Sequence, residues 1–296
     1  MSKFFASVDE VTARLSAAGY LPSTDIATAV FLAGHLGKPL LIEGPAGVGK
    51  TELAKAVAAA TISDLVRLQC YEGIDEARAL YEWNHAKQLL RITAERENWD
   101  STRGHVFTEE FLLERPLLAA IRNPHSTVLL IDELDKADVE LEGLLLEVLG
   151  DFQVSIPELG TITAVRKPFV VLTSNANRDL SEALKRRCLY LHIDYPTAEL
   201  ERAIVRLRVP ELDEVVAASA VEVVGALRQL PLRKSPSIAE TVDWARTLVT
   251  LGAQNLSSGV VRSTLGVLLK YQSDHRTAIE RLALLDPDSD RRERRW

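Results

Sequence analysis

Cysteine is scarce: the 296 residues contain two, Cys70 and Cys188, with no paired spacing. That excludes a disulfide framework and a zinc site held by cysteines. No apolar run approaches the roughly 18 residues a bilayer-crossing helix needs. The opening MSKFFASVDEV lacks the basic-then-apolar form of a secretory signal. The six histidines, His35, His85, His105, His125, His192 and His275, follow no metal-ligand spacing and read as structural or surface residues. There is no G-x-G-x-x-G, no Ser-His-Asp signature with an elbow, no internal repeat and no low-complexity tract. Basic charge is in deficit, with a formal net charge of −7, which argues against a coat for nucleic acid while leaving room for a local basic groove. These absences point to a cytoplasmic protein, with peripheral membrane association left open. The apolar fraction of 47% and charged fraction of 26% are ordinary for a globular chain of one large or two moderate domains.

What is present centres on residues 39–57, PLLIEGPAGVGKTELAKAV. Leu40, Leu41 and Ile42 read as a buried parallel strand between Pro39 and Gly44. Residues 51–60 are an alanine-rich helix former. Between them, Gly44-Pro45-Ala46-Gly47-Val48-Gly49-Lys50-Thr51 matches G-x-x-x-x-G-K-[ST] at every fixed position. Glycines let successive N–H groups turn inward, and the helix start adds positive partial charge, so phosphate oxygens can be cradled. Lys50 is the point charge for β and γ phosphates, and Thr51 offers a hydroxyl to magnesium. The competing reading is a chance glycine loop, a pattern that would arise in roughly 1% of chains this long.

Along the chain, S-x-x-E at Ser7 to Glu10 opens a predicted helix over 7–18, and a second spans 25–36 with Val30 and Leu32 in the core. Residues 65–71 read as a strand. Residues 72–98 read as helical, with Ile74, Ala77, Leu80, Trp83 and Leu90 near one face and Trp83 as core; 95–104 is a polar loop and 107–121 is helical again. Strands follow at 127–132, 169–173 and 188–193. Helices follow at 140–149 and 179–187, with a hairpin over 152–164. After Pro196 the pattern is wholly helical: 198–209, 211–230, 237–251 and 258–274. The expected fold is α/β, a parallel-sheet core over 1–196 followed by an all-helical part over 197–280 and a charged tail over 281–296. The simplest account of the tail is a solvated end.

Ligands of a parallel sheet sit at the carboxyl ends of its strands, and Gly44, Asp132 and Asn175 all stand at such ends. Asp132, closing TVLLID, fits a magnesium carboxylate. Glu133, next to it, can orient and deprotonate a water. The alternative is that both acids merely open a helix, and Asp135 reads as a cap. Asn175 can bond the attacking water or a γ-phosphate, although an Asn after a strand is more often a turn residue. Arg186 and Arg187 end a short helix, where arginines are usually solvated.

Phosphate loop, Asp-Glu pair, strand-end Asn, paired arginines and helical C-terminal part, in this order, resemble an AAA+ ATPase. IDELDKADVELEGLLLEVLGDFQVSIPELG resembles the MoxR branch. LQCYEGIDEARALYEWNHAKQLLRI and LPLRKSPSIAETVDWARTL are similar to its CoxD-type subgroup, associated with maturation of molybdenum-containing carbon monoxide dehydrogenase. The resemblance implies ATP and Mg2+ as cofactors. ATP would be held by Gly44, Pro45, Ala46, Gly47, Val48, Gly49, Lys50, Thr51 and Asp132, and the metal by Thr51 and Asp132. It implies Glu133 as base, Asn175 as sensor 1, and Arg187 as the arginine finger acting on a neighbour's ATP, with Arg186 as the alternative. It also implies a helix-2 insert over about 73–108, a pre-sensor hairpin over about 152–164 and a helical lid. The partners implied are copies of itself in a ring, a hexamer by resemblance, a client apo-metalloenzyme and a von Willebrand factor A-domain protein. Where many MoxR proteins have S-P-R in the lid, this chain has Ser235-Pro236-Ser237, and Arg233 is the nearby substitute. Other readings are a MoxR-type chaperone for a different client, such as Rubisco or nitric oxide reductase, a nucleic-acid motor, and, further off, a small-molecule kinase. The acidic balance disfavours the motor.

Overall fold

A computed structural model describes residues 4–94 and 106–282. Part of the expected insert (95–105), with its polar loop, and nearly all of the charged tail (283–296) lie outside the described residues. The chain divides into two compact units. One holds residues up to Gly44 and from Lys50 to His192; the other holds residues 45–49 and the chain from Ile193 onward.

The first unit is built on a five-stranded sheet. Its strands are β1 (Leu40–Glu43), β2 (Asp64–Gln69), β5 (Thr127–Asp132), β8 (Phe169–Ser174) and β9 (Leu189–His192), in the order β2-β5-β8-β1-β9 and all parallel. Every residue of β5 and β8 is buried, which is why both read as unbroken apolar runs. β2 lies at an edge and exposes Asp64, Leu65 and Arg67, so its sequence is mixed. Helices α1 (Val8–Ala17), α2 (Thr24–Leu36) and α3 (Lys50–Thr61) come from the first third of the chain. Ser7 and Ser23 cap the first two by accepting the N–H of Glu10 and Ile26. Glu10 reaches back to the Ala6 N–H rather than to that of Ser7, so the predicted capping box is only half formed. Val30 is fully buried, but Leu32 is 39% exposed, so only the first of the two predicted core residues is one.

Residues 72–98 depart from the predicted helix. A single turn, α4 (Glu76–Ala79), leads into β3 (Tyr81–Trp83) and then α5 (His85–Ala94). β3 pairs antiparallel with β4 (Leu112–Glu114), which likewise interrupts the helix predicted over 107–121; what remains of that helix is a single 3-10 turn (Glu109–Phe111) and α6 (Pro116–Arg122). Tyr and Trp favour a pleated, half-buried surface, and a partner strand outside the local window outweighed the helical spacing. Trp83 is therefore a half-buried strand residue, edge-on to Tyr81 and Phe107, not a core helix residue. Ala77 and Leu90 are exposed, so the predicted apolar face does not exist. Helix α7 (Val139–Asp151) and the hairpin β6 (Gln153–Ile156) with β7 (Gly160–Thr163) follow, and then α8 (Glu182–Arg187).

In the second unit the described residues after Ile193 form helices only: α9 (Ala198–Arg208), α10 (Glu214–Arg228), α11 (Ile238–Thr250), α12 (Ser258–Leu268) and α13 (Gln272–Arg281). Their core surrounds Trp244, fully buried, whose Nε1–H donates to Thr264. Arg228 forks onto the buried carboxylate of Glu201 at 2.5 and 2.8 Å while lying over the ring of Tyr195. Ser237 and Glu240 close a full capping box on α11. Arg233 lies over the ring of Tyr271. Among the described residues no helix is long and apolar enough to cross a membrane.

Candidate active site

Strand order brings the predicted residues together. β1, β8 and β5 are neighbours, so Gly44 and Asn175, which follow the ends of the first two, and Asp132, which closes the third, stand at the ends of three adjacent strands. β2 ends beside β5, with Gln69 in register with Asp132. Between β1 and α3 the chain turns through 45–49, where Gly47 has φ +76° and Gly49 φ +101°. A side chain at either position would strain the backbone, which accounts for the second fixed glycine of the motif, Gly49, and for a glycine at the variable position 47.

Lys50 is 6% exposed; its ammonium donates to the Gly44 carbonyl at 2.6 Å and to Asn175 Oδ1 at 2.8 Å. Burial pushes its pKa down, against the carboxylates of Asp135, Asp132 and Glu133, which act to keep it charged. Asp132, 2% exposed, accepts from the Thr51 hydroxyl at 3.0 Å and from Thr173 at 2.6 Å. Its second oxygen accepts from Arg67 Nε and Nη2 at 3.1 and 2.6 Å. The two oxygen groups assigned to a metal, on Thr51 and Asp132, are thus side by side. Hard oxygen donors of this kind, few in number, suit Mg2+, which keeps several waters and takes the rest of its shell from phosphate.

Glu133 has left-handed backbone angles, φ 57° and ψ 47°, which cost a non-glycine residue about 1 kcal/mol or more. Its N–H donates to Thr173 Oγ1 at 2.9 Å, and its carboxylate accepts from Gln69 Nε2 at 2.8 Å and Lys136 Nζ at 2.7 Å. Asp135, read as a cap, instead holds the loop after β8: its Oδ2 accepts from the backbone and side-chain N–H of Asn177 at 3.1 and 2.7 Å. Arg186 and Arg187 are exposed on α8, and Arg187 donates to the Leu146 carbonyl on α7. Among the described residues, neither bonds to the Lys50, Asp132 and Glu133 cluster. Both cysteines are free, and burial pushes each thiol up to about 12, which leaves them unreactive.

Sequence reasoning missed Arg67, Gln69, Lys136 and Thr173. The signal for the first two was a polar pair two residues apart on a strand, which places both on one side. For Thr173 it was a hydroxyl closing an otherwise apolar run.

The cluster can neutralise a bound phosphate chain and present a carboxylate to a water beside it. A sequence model described as AAA domain (dynein-related subfamily) matches residues 39–188, just over half of the chain's 296. The chain is 24% identical over 228 residues to Uncharacterized protein SH1500 of Staphylococcus haemolyticus, covering 73% of this chain and 78% of that protein. It is 24% identical over 182 residues to Uncharacterized protein SAB1265c of Staphylococcus aureus, covering 58% of this chain and 61% of that protein's length. Among solved structures it is similar to Thermotoga maritima RuvB, described as a Holliday junction branch migration motor. That likeness has 18% identity and a TM-score of 0.47, over 88% of this chain and 69% of that one. On the family match, the chain belongs to the AAA domain family, dynein-related subfamily.

Proposed function

We propose that this chain is a magnesium-dependent ATP hydrolase of the MoxR type, working as an ATP-driven chaperone that remodels a client protein. The observation that supports hydrolysis is the convergence of Lys50, Thr51, Asp132, Glu133 and Asn175 at the ends of neighbouring parallel strands. In this reading the backbone N–H groups over 44–51 and the Lys50 ammonium bind the phosphates. Thr51 and Asp132 would hold magnesium, which would supply positive charge to the bound phosphates. Glu133 takes a proton from the attacking water as that water's oxygen bonds to the γ-phosphorus. The bond from that phosphorus to the bridging oxygen breaks, leaving ADP and inorganic phosphate. Asn175 turns its amide N–H toward the γ-phosphate. Arg187, or Arg186 in its place, stabilises the transition state in the next subunit of a ring, for which we take six subunits.

The MoxR and CoxD-type reading rests on the resemblance of residues 68–92, 131–160 and 230–248. It makes the client a molybdenum-containing carbon monoxide dehydrogenase awaiting its metal centre, with a von Willebrand factor A-domain protein as helper. We divide the chain accordingly into an ATPase core over 1–196, with its insert and hairpin, a lid over 197–280 and a tail over 281–296. Steady-state phosphate release from ATP tests the hydrolytic reading: it should require Mg2+, stop with a chelator, and vanish in Lys50→Ala. Release that persists in that variant would sink it. The client reading fails if cells lacking this chain make fully metallated, active carbon monoxide dehydrogenase.

A further inference from the structure

The chain leaves the edge strand β2 through a short turn, and a cleft of about 430 Å³ lies between that turn and the start of α6. Both walls are fixed by the backbone. The Ile74 N–H closes the turn on the Tyr71 carbonyl at 3.2 Å, and the Gly73 N–H donates to Asp138 at 3.2 Å. Opposite, the Arg115 N–H donates to the Leu80 carbonyl at 3.1 Å. The volume is in the range of ligand clefts.

The lining is of two kinds. Leu68 and Ile74, 3% and 6% exposed, make an apolar surface with Pro116 and the half-exposed ring of Tyr71. Arg78 and Arg115 bring two guanidiniums, and no carboxylate lines the cleft. Each arginine is steadied by a contact that uses few of its donors. Arg78 Nη1 donates to the Tyr71 hydroxyl at 3.0 Å, and Arg115 Nη2 donates to Glu82 at 2.6 Å. The Nε–H of Arg115 is buried without a partner. Two cations with donors to spare, beside an apolar surface, complement a carboxylate carried on an apolar body.

The neighbouring strand says what form that body takes. The cleft opens where β2 ends, and β2 pairs on one side only, with β5. Among the described residues no strand covers its other edge, along which Leu65 and Arg67 are exposed. An extended segment can add to such an edge through main-chain hydrogen bonds and send alternate side chains into an adjoining pocket. Two arginines are too few to follow a nucleic-acid backbone, and the net charge of −7 disfavours one. We propose that this edge and cleft bind an extended acidic segment of a partner protein. A leucine-sized side chain rests on Leu68, Ile74 and Pro116, and a carboxylate two residues away is taken by Arg78 and Arg115. No step of ATP hydrolysis enters the proposal, so it stands or falls separately from the reading above.

Fluorescence anisotropy of a labelled pentapeptide, Thr-Leu-Thr-Glu-Thr, titrated with the full chain tests it. Saturable binding with a Kd below about 1 mM is expected. Changing the peptide's Glu to Gln should weaken binding roughly tenfold, the scale of one hydrogen bond to a charged group. Arg78→Gln and Arg115→Gln should each cause a similar loss, and Arg78→Lys a smaller one, since it keeps the charge without the fork. Arg122→Gln removes a charge on α6 that pairs with Glu109 and Glu114 outside the cleft, and it should change nothing. Conversely, Arg78→Glu should prefer the same peptide with Lys in place of Glu. Arg78 is exposed, so its variants leave no buried group unpaired, and a thermal melt confirms that each variant is folded. No binding by the parent, equal binding of the Gln peptide, or equal losses in all three arginine-to-glutamine variants overturns the site. Displacement of the peptide by millimolar inorganic phosphate would assign the cleft to a bare anion, and preference for oligodeoxythymidylate would assign it to nucleic acid. Either result overturns the peptide.

Discussion

The Thr173 hydroxyl donates to Asp132 Oδ1 at 2.6 Å and accepts the N–H of Glu133 at 2.9 Å. One buried side chain thus aligns the metal carboxylate and holds the strained residue after it. Replacing it by valine keeps the volume and removes both bonds. Thr173→Val should cost about 1–3 kcal/mol of stability, with two polar groups left short of partners. It should lower turnover more than nucleotide affinity. A melt and a KM-against-kcat comparison check this; an unchanged kcat would show that the alignment is not needed.

Glu133→Gln keeps the size of the side chain and its acceptor for Gln69 Nε2 but removes the base. Nucleotide binding should stay within about twofold, while turnover falls by about 100-fold or more. Equal hydrolysis in variant and parent would remove Glu133 from the role of base.

Arg187 is exposed, and it donates to the Leu146 carbonyl, away from the cluster on its own chain. If it acts on the neighbour's ATP, Arg187→Ala alone should slow hydrolysis by about a thousandfold, as arginine fingers do. Mixing Arg187→Ala subunits with Lys50→Ala subunits should then restore part of the activity, because some interfaces regain one intact copy of each residue. Absence of recovery at every mixing ratio would count against action in trans. The same mixture made with Arg186→Ala tells which arginine is used.

Glu142 on α7, 1% exposed, accepts from Arg178 at 2.5 Å and from the Ser181 N–H at 2.8 Å. Burial acts to raise its pKa, but the Ser181 and Arg178 contacts outweigh it and hold the group below the ordinary 4.5. A carboxylate lowered on folding stabilises fully above its unfolded value and loses that contribution as pH falls through the folded value. Stability should therefore be flat near neutrality and decline below about pH 4.5. Glu142→Gln should cost about 2–4 kcal/mol at pH 7 and flatten the acid limb. Urea melts across pH 3–7 measure both, and an acid limb as steep in the variant as in the parent would assign it to other groups.

Trp244 fills the core of the second unit and donates to Thr264 at 2.8 Å. Trp244→Ala should cost that unit about 3–5 kcal/mol, whereas Thr264→Val should cost about 1–2 kcal/mol by stranding the indole N–H. Thermal unfolding of both variants gives the ratio, and equal losses would show that the indole bond, not the packing, dominates.

By itself, the sequence determined the features written in short stretches: the loop from Gly44 to Thr51, the apolar runs of the central strands, and the helical spacing after Pro196. These rest on local geometry, since buried strands need continuous apolar residues and a phosphate loop needs its glycines in fixed places. Tertiary structure decided everything that depends on which segments become neighbours. Tyr81 to Trp83 is a strand because Leu112 to Glu114 lies beside it, a pairing that no window over 72–98 contains. In the sequence Arg67 and Gln69 are simply polar residues of a predicted strand; it is the register that sets Gln69 against Asp132. Asp135 turned from a cap into the anchor of the loop that carries Asn177, 42 residues on. Hydrogen bonds of this kind follow strand order, and strand order is settled by burial of the whole sheet rather than by any residue in it.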